Sequence, residues 1–568
     1  MSETIDCLFV HCPKLNNHYK PIDDHMFITL IPMGVFALCD LLCQNGFSSR
    51  IIHLGVELVE DRAFSLLDYL NKMRPRVVAM DLHWHHQSYD VIQTARRIKE
   101  AFSEIYLLLG GMTATFYHQE ILANSETIDG VIRGEGEVPI RALMEVLREG
   151  RGDFGHIPNL SWRRGSEVVI NPLSYVASQE ILDDLNFTCF DLLGNHRTYI
   201  RYMGLPFYVK GVSKEKNFWM YSLKSPMFDL EVGRGCPVNC TWCAGSHSSQ
   251  EMISGRGGVI FRDPEKVLQS IEEALSFGYE TMHICFDPFP HKPDYYLNLF
   301  SMIRAKGLKV ECFYESFGLP TAELIREFAR TFTGPKSLMA LSPEVGSEKV
   351  RRANKGYFFT NDQLMKILEL MRREGVNADL FFTYGVAWET EGDLQDTLDL
   401  IKKVKRFPNV RGIRAFSVEM EPGAPWHINP NAYGIKTPLQ RFEDYVRHHA
   451  DDGDVKQHRK RLLDHGRHPL PGPSAAGRPG QGCRPQLRRR LGRRGVFGRH
   501  RRLSRYHRPG GQDPRANHCW ISVPQYTTIS AAAAHTTAVI WNGRSPRSRS
   551  VGSSYRPHML SMASRQIA

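Results

Sequence analysis

Twice along this chain, short β-branched runs alternate with amphipathic stretches, a rhythm that parallel sheets with crossover helices satisfy. Across residues 1–150 the strand-like segments are IDCLFVHC, SSRIIHLGV, RVVAMDLHW, IYLLLGG and DGVIRGEGE. Between them, YDVIQTARRIKEAF places Val91, Ile92, Ala95, Ile98 and Phe102 on one face at helical spacing. Five strands alternating with helices predict an α/β, doubly wound, Rossmann-like (flavodoxin-like) sheet. Such sheets bind ligands beyond the carboxyl ends of their strands. Gly110, Gly111 and Thr113 in LLLGGMTAT fall there, as do Gly134, Glu135, Gly136 and Glu137 in GEGE. Glycine after a parallel strand lets backbone approach a large ligand closely, and equally serves a tight turn.

Residues 151–225 break the rhythm. IPNLSWRRGSEVVINP reads as a small hairpin, and NFTCFDLLGNHRTYIRYMGLPFY as an aromatic-rich linker. Its Phe190, Tyr199, Tyr202, Phe207 and Tyr208 either face an apolar substrate or pack between domains. A second alternation fills residues 226–450, with FDLEVGRG, ETMHICFDP, LKVECFYES, SLMALSPE, NADLFFTYGV and VRGIRAFSVEM as strands. Asp263 caps the helix after the first of these, Pro264 fits its first turn and Gly278 closes it. Thr360 or Asn361 and Gly375 bound another helix in the same way. Six βα units predict a partial TIM-type barrel with its chemistry at the carboxyl ends of the strands. Asp287, Glu315, Ser316, Glu344 and Gly385 lie at those ends, and for each carboxylate a helix cap or a surface charge is the plainer role.

LEVGRGCPVNCTWCAGSH puts Cys236, Cys240 and Cys243 in the loop after the first barrel strand. The other nine of the chain's twelve cysteines are scattered, which is not the pattern of a disulfide framework. No run of eighteen apolar residues and no basic-then-apolar leader pattern is present, so a cytoplasmic, reducing setting without a membrane span is expected. Three thiols so close together bind metal or are redox-active. With His247 as a fourth ligand they suit zinc; as three ligands they suit a [4Fe–4S] cluster with one open iron.

This C-x3-C-x2-C pattern, with Trp242 before the third cysteine, resembles the radical S-adenosylmethionine superfamily. The resemblance implies that Cys236, Cys240 and Cys243 bind the cluster and that S-adenosylmethionine takes the fourth iron through its amino and carboxylate groups. It further implies cleavage of the sulfonium to methionine and a 5′-deoxyadenosyl radical. Asp287 stands where the family often has a Gly-Gly-Glu turn, here without its glycines, and Glu315, Ser316 and Glu344 become ribose or carboxylate contacts. GVAWETEGD occupies the place of a Gly-Leu-Pro-Gly-Glu-Thr turn: Gly385, Glu389 and Thr390 match it, while Ala387 and Trp388 depart. The LLLGGMTAT and GVIRGEGE turns ahead of such a barrel resemble the cobalamin-binding group within the superfamily. That group's cofactors are cobalamin, S-adenosylmethionine and the [4Fe–4S] cluster. The implied activity is a methyl transfer to an unactivated carbon or a phosphinate phosphorus of a small molecule, with a flavodoxin- or ferredoxin-type electron donor. A non-methylating cyclisation or rearrangement is the alternative within the family, and the sequence singles out no catalytic side chain.

Two features sit apart. DLHWHHQSYD resembles, at Asp81 and His83, the start of the Asp-x-His-x-x-Gly signature, whose histidine ligates cobalt in other corrinoid proteins. The sixth position is His86, however, and the loop follows the third strand rather than the first, so a cobalt-ligating histidine is not the expected role. Its histidines and Trp84 face a corrinoid, bind zinc or form a polar loop. Residues 451–568 carry 21 Arg, 2 Lys, 5 Asp and no Glu, which leaves residues 1–450 at −7 within a chain of net charge +11. A tail of that bias without periodicity is what codons read out of frame give. A disordered basic arm on nucleic acid, in a non-enzymatic metal protein, is the rival reading. Because the folded part is acidic, nucleic acid is not the expected partner.

Overall fold

The computed structural model describes residues 4–12, 25–27, 29–61, 63–150, 153–202, 206–208, 226–287, 294–450 and 537–538. The reading of the tail, apart from the two-residue strand Thr537–Ala538, lies outside them, as do the side chains of Tyr202, Phe207 and Tyr208.

The first sheet contains β1 (Cys7–His11), β2 (Ser49–His53), β3 (Val77–Asp81), β4 (Tyr106–Gly110), β5 (Gly130–Ile132), β6 (Leu160–Arg164) and β7 (Glu167–Ile170), in the order β2-β1-β3-β4-β5-β6-β7. The first five are parallel, the flavodoxin-like order. The hairpin predicted in the linker is β6–β7. It extends this sheet, because Trp162 of β6 pairs antiparallel with Gly130 of β5. Alternation sorts the strands' faces. Leu8, Val10, Val78, Met80, Leu107 and Leu109 pack on one side with Val91, Ala95 and Ile98 of the helix Ser88–Ala101. Phe9, Ala79 and Leu108 meet Phe36 and Ala37 of the helix Met33–Gln44 on the other.

The second sheet runs in chain order: β8 (Met227–Asp229), β9 (Thr281–Ile284), β10 (Glu311–Ser316), β11 (Leu338–Glu344), β12 (Asn377–Tyr384) and β13 (Val410–Ser417) are parallel, and the short strand Thr537–Ala538 pairs antiparallel with β13. β8 and β13 do not pair, so the barrel is open, as six βα units lead one to expect. Outward residues such as Met282, Tyr314, Met339 and Phe382 pack on the helices, while Met227, Phe313, Leu338 and Ala340 form a separate cluster inside the curve. The helix boundaries follow their caps. The Asp263 side chain accepts from the Glu265 N–H, and Thr360 accepts from the Gln363 N–H in a capping box.

Phe190 packs between the two sheets, and Tyr199 is buried against the first. Phe190 packs against Phe36 on one side and Phe228 and Tyr279 on the other. The Tyr199 hydroxyl accepts the Ile31 N–H at 3.0 Å. Among the described residues no helix is long and apolar enough to cross a membrane.

Gly111, just past β4, has φ +99°, and a Cβ there would sit 2.7 Å from the backbone N and Cα of His83. Gly111→Ala is therefore expected to cost about 1–3 kcal/mol, read as a lower urea midpoint.

A cleft between the sheets beside the cysteine loop

Gly110 ends β4 and Gly134 follows β5, and both line an open cleft holding ≈ 1310 Å³ of empty space. The opposite wall comes from the segment after β8, including Arg234, Gly235, Gly245, Gln250, Ser254 and Arg256. A Cβ added at Gly110 would meet nothing within 4 Å, so bare backbone faces the cleft. Gly134 serves a different purpose. Its Cβ would lie 3.0 Å from Ser254, so glycine there lets the two walls meet. Gly136 packs in the same way on Leu38, at 3.2 Å.

Glu135 and Glu137 line the cleft, and both carboxylates are ion-paired there. Arg234 bridges them, at 3.1 Å to Glu135 and 2.8 Å to Glu137, and Arg256 holds Glu135 at 2.8 Å. Burial opposes ionisation of Glu135; Arg256 and Arg234 outweigh it and hold its pKa below the ordinary value. Arg234 lies two residues before Cys236, so these pairs fasten the start of the cysteine loop to the first sheet. Thr113 is buried, and its Oγ1 and N–H both donate to the His83 carbonyl, at 3.0 and 3.2 Å, which holds the turn.

The cysteine loop spans from Arg234 to the helix His247–Ser254, with Cys243 buried and Cys236 and Cys240 half-buried. The loops after β11 and β13 grip it. The Gly356 N–H donates to the Cys240 Sγ at 3.2 Å. Thr241 is tied to Asn354 through its N–H (2.9 Å) and its Oγ1 (2.7 Å). Ala244 donates its N–H to Glu421 at 3.0 Å. None of these partners carried a motif; only the βα context put them near the loop. Burial raises the pKa of all three thiols, that of Cys236 to about 11, and the Lys355 charge lowers those of Cys236 and Cys240 in part. Thiolates at this place need positive charge beside them.

Among the described residues no three His, Cys, Asp or Glu side chains converge to hold a single metal ion. His247 lies 3.9 Å from Glu251. A cubane asks for thiolates spread around a cage, each on its own iron.

The strand-end residues turn mostly to one another. Asp287 accepts from the Ser316 Oγ (2.9 Å) and the Phe317 N–H (3.0 Å). Glu344, at φ +63°, pairs with Lys355 at 3.2 Å. Gly385, at φ +79°, donates its N–H to Glu389 at 2.6 Å. Burial raises Glu389 to about 8. Glu315 lies 3.2 Å from His283, whose other ring nitrogen is 2.7 Å from Asp229. No motif marked that buried triad, which spans β8, β9 and β10.

Burial opposes charge on His283, but hydrogen bonds and charge from Asp229 and Glu315 raise its pKa from 6.5 to about 10. A raised folded-state pKa stabilises fully below the unfolded value and is lost as pH climbs through the folded one. The stability gap between the wild type and His283→Gln is thus expected to be widest below pH 6.5 and to close toward pH 10. Urea midpoints taken across that range check it.

Two family models match the chain: the B12 binding domain over residues 24–144 and the Radical SAM superfamily over residues 230–401. The chain belongs to the cobalamin-binding radical S-adenosylmethionine proteins. Its cofactors are accordingly a [4Fe–4S] cluster, S-adenosylmethionine and cobalamin. It is 27% identical over 220 residues to the hopanoid C-3 methylase of Methylococcus capsulatus, covering 39% of this chain and 36% of that one. It is 20% identical over 386 residues to the cobalamin-dependent radical SAM methyltransferase TokK of Streptomyces tokunonensis, covering 65% and 51%. The match thus spans about a third to a half of these curated relatives. In fold it is similar to the methyltransferase TsrM from Kitasatospora setae, solved with cobalamin and a [4Fe–4S] cluster, at TM-score 0.55 and 14% identity over 77% of this chain and 76% of that one.

Proposed function

We propose that this radical S-adenosylmethionine protein is a cobalamin-dependent methyltransferase whose acceptor is an unactivated carbon or a phosphinate phosphorus of a small molecule. One observation carries the reading: a single cleft has bare glycine backbone on the B12-domain wall and the flank of the cysteine loop on the other. When bound, the cluster with S-adenosylmethionine supplies a one-electron route to an adenosyl radical, and cobalamin supplies the methyl carrier. Cys236, Cys240 and Cys243 hold the cluster, and the Gly356 N–H supports the Cys240 sulfur. Gly110, Gly111, Gly134 and Gly136 shape the seat of the corrin. The Arg234 and Arg256 ion pairs fix the width of the cleft, and with it the placement of one cofactor against the other. Asp287, Glu315, Ser316, Glu344 and Gly385 ring the barrel mouth, where S-adenosylmethionine is held.

The cluster has to be reduced, so a flavodoxin- or ferredoxin-type donor is the expected protein partner. The ten described cysteines are all free thiols, which suits a cytoplasmic setting. The test is omission of cobalamin from anaerobically reconstituted protein. S-adenosylhomocysteine, measured by mass spectrometry, should form only when cobalamin is supplied; equal amounts without it would contradict the reading.

A further inference from the structure

We propose that Cys43 and Cys39 are a peroxide-reactive thiol pair, whose closure to a disulfide loosens the helical wall of the cleft. Outside the cysteine loop, Cys43 is the only described cysteine that is not buried. It lies in the last turn of the helix Met33–Gln44, and Cys39 stands one turn back on the same face. Cys39 is closed off from solvent, with its Sγ 3.2 Å from the Ser49 Oγ. One sulfur within reach of solvent and a second thiol beside it is the arrangement of a reactive cysteine with a resolving partner.

What surrounds Cys43 favours its thiolate, the form that attacks an oxidant. Its Sγ lies 3.7 Å from the Ser49 carbonyl oxygen, to which Arg50 Nη1 donates at 3.2 Å, so a cation stands beside the sulfur. A hydrogen bond from the Cys39 thiol is the main reason that the Cys43 pKa falls to about 6. Arg50 lowers it further, against burial and the charge of Asp40. The same bond from Cys39 raises the pKa of Cys39 itself, which keeps its proton. Burial pushes the thiols of Cys7, Cys12, Cys189 and Cys312 upward, so they stay protonated and unreactive.

The co-reactant is hydrogen peroxide. The Cys43 thiolate attacks one peroxide oxygen, the O–O bond breaks, a sulfenic acid forms and hydroxide leaves with the proton that Cys43 released, as water. The Cys39 sulfur then attacks the sulfenic sulfur, the S–O bond breaks, and the Cys39 proton leaves with that oxygen as a second water. The two sulfurs lose two electrons and the peroxide gains them. A disulfide needs Cβ atoms about 3.5–4.5 Å apart, whereas helical neighbours at this spacing lie about 5–6 Å apart. Closure therefore pulls the last turn out of helical register, where the Asn45 and Phe47 N–H groups donate to the Leu41 and Leu42 carbonyls. The same helix gives Gly34, Val35 and Leu38 to the cleft. This consequence rests on the cobalamin reading of the cleft, while the thiol chemistry does not.

The experiment uses the full chain loaded with hydroxocobalamin, treated with hydrogen peroxide, blocked with N-ethylmaleimide and digested with trypsin. Cys39 and Cys43 share one tryptic peptide with no other cysteine, so its mass reads the pair alone. The expected result is a peptide lighter by two hydrogens and free of maleimide, restored by dithiothreitol. Cobalamin retained after desalting should fall and recover in step. Cys43→Ser should leave Cys39 open to maleimide and make cobalamin retention indifferent to peroxide. Cys39→Ser should stop at the Cys43 sulfenic acid, which dimedone traps. Both thiols alkylated after peroxide, or Cys43 joined to another cysteine, would overturn the proposal, as would a disulfide that leaves cobalamin retention unchanged. A reduced wild-type chain that retains no cobalamin removes the cobalamin reading and the effect on the cleft with it; the peptide mass still decides the thiol pair.

Discussion

Alanine at any one of Cys236, Cys240 or Cys243 is expected to abolish both the brown absorbance near ~400 nm and the cleavage of S-adenosylmethionine. Only three thiols occupy this loop, and the loops packed over it after β11 and β13 offer Asn354, Lys355, Gly356 and Glu421 but no spare cysteine. With one thiolate removed, two irons lack protein ligands and the cage has no means of closing. The loss of activity should therefore exceed the ~10–100-fold typical of removing an outer partner of a metal ligand. Asn354→Ala is the matched comparison. It unties Thr241 without touching a sulfur, and is expected to lower iron content and activity by about that smaller factor. Iron analysis and 5′-deoxyadenosine yield, measured on the same samples, distinguish the two. Full cleavage in all three cysteine variants would remove the cluster from this loop.

The second large effect is expected at Arg234. Its guanidinium is 16% exposed and bridges carboxylates that are 11% and 5% exposed. Arg234→Met leaves Glu137 buried without its cation, and Glu135 with Arg256 alone. Breaking a buried pair in this way typically costs about 3–5 kcal/mol, because a charge stays behind unpaired. The same change frees the start of the cysteine loop from the first sheet, so retained cobalamin should fall together with stability. The double variant Arg234→Met, Glu137→Met removes both charges and is expected to recover most of the lost stability. It should not recover cobalamin retention to the same extent, since the start of the cysteine loop stays untied from Glu135 and Glu137. Urea unfolding and cobalt content of the desalted protein check the two halves separately.

The sequence carried the layers of this fold well, for reasons that are local. Alternating faces in RVVAMD and LFFTY, and side-chain caps such as Asp263 and Thr360, operate within a few residues and leave their mark in the string itself. The cysteine triplet is legible for the same reason. What was not legible depends on partners far apart in the chain. Glu135 looked like part of a corrin-facing turn, and only the fold shows that Arg234, 99 residues on, and Arg256, 121 residues on, pair with its oxygens. That Thr113 donates to the carbonyl of His83 was not legible either. The Asp229–His283–Glu315 triad needs three strands in register before it exists at all. The linker hairpin, read as a separate small element, completes the edge of the first sheet because β5 has a free side and Trp162 a partner there.

The most direct measurement is simultaneous quantification of 5′-deoxyadenosine and S-adenosylhomocysteine by mass spectrometry. It would use protein reconstituted without oxygen with iron, sulfide and cobalamin, supplied with reductant and S-adenosylmethionine. Formation of both products by the wild type and of neither by the Cys240→Ala variant is the expected result. 5′-Deoxyadenosine without S-adenosylhomocysteine, from a chain with its full complement of iron and cobalamin, would contradict methyl transfer and leave a radical enzyme of another kind.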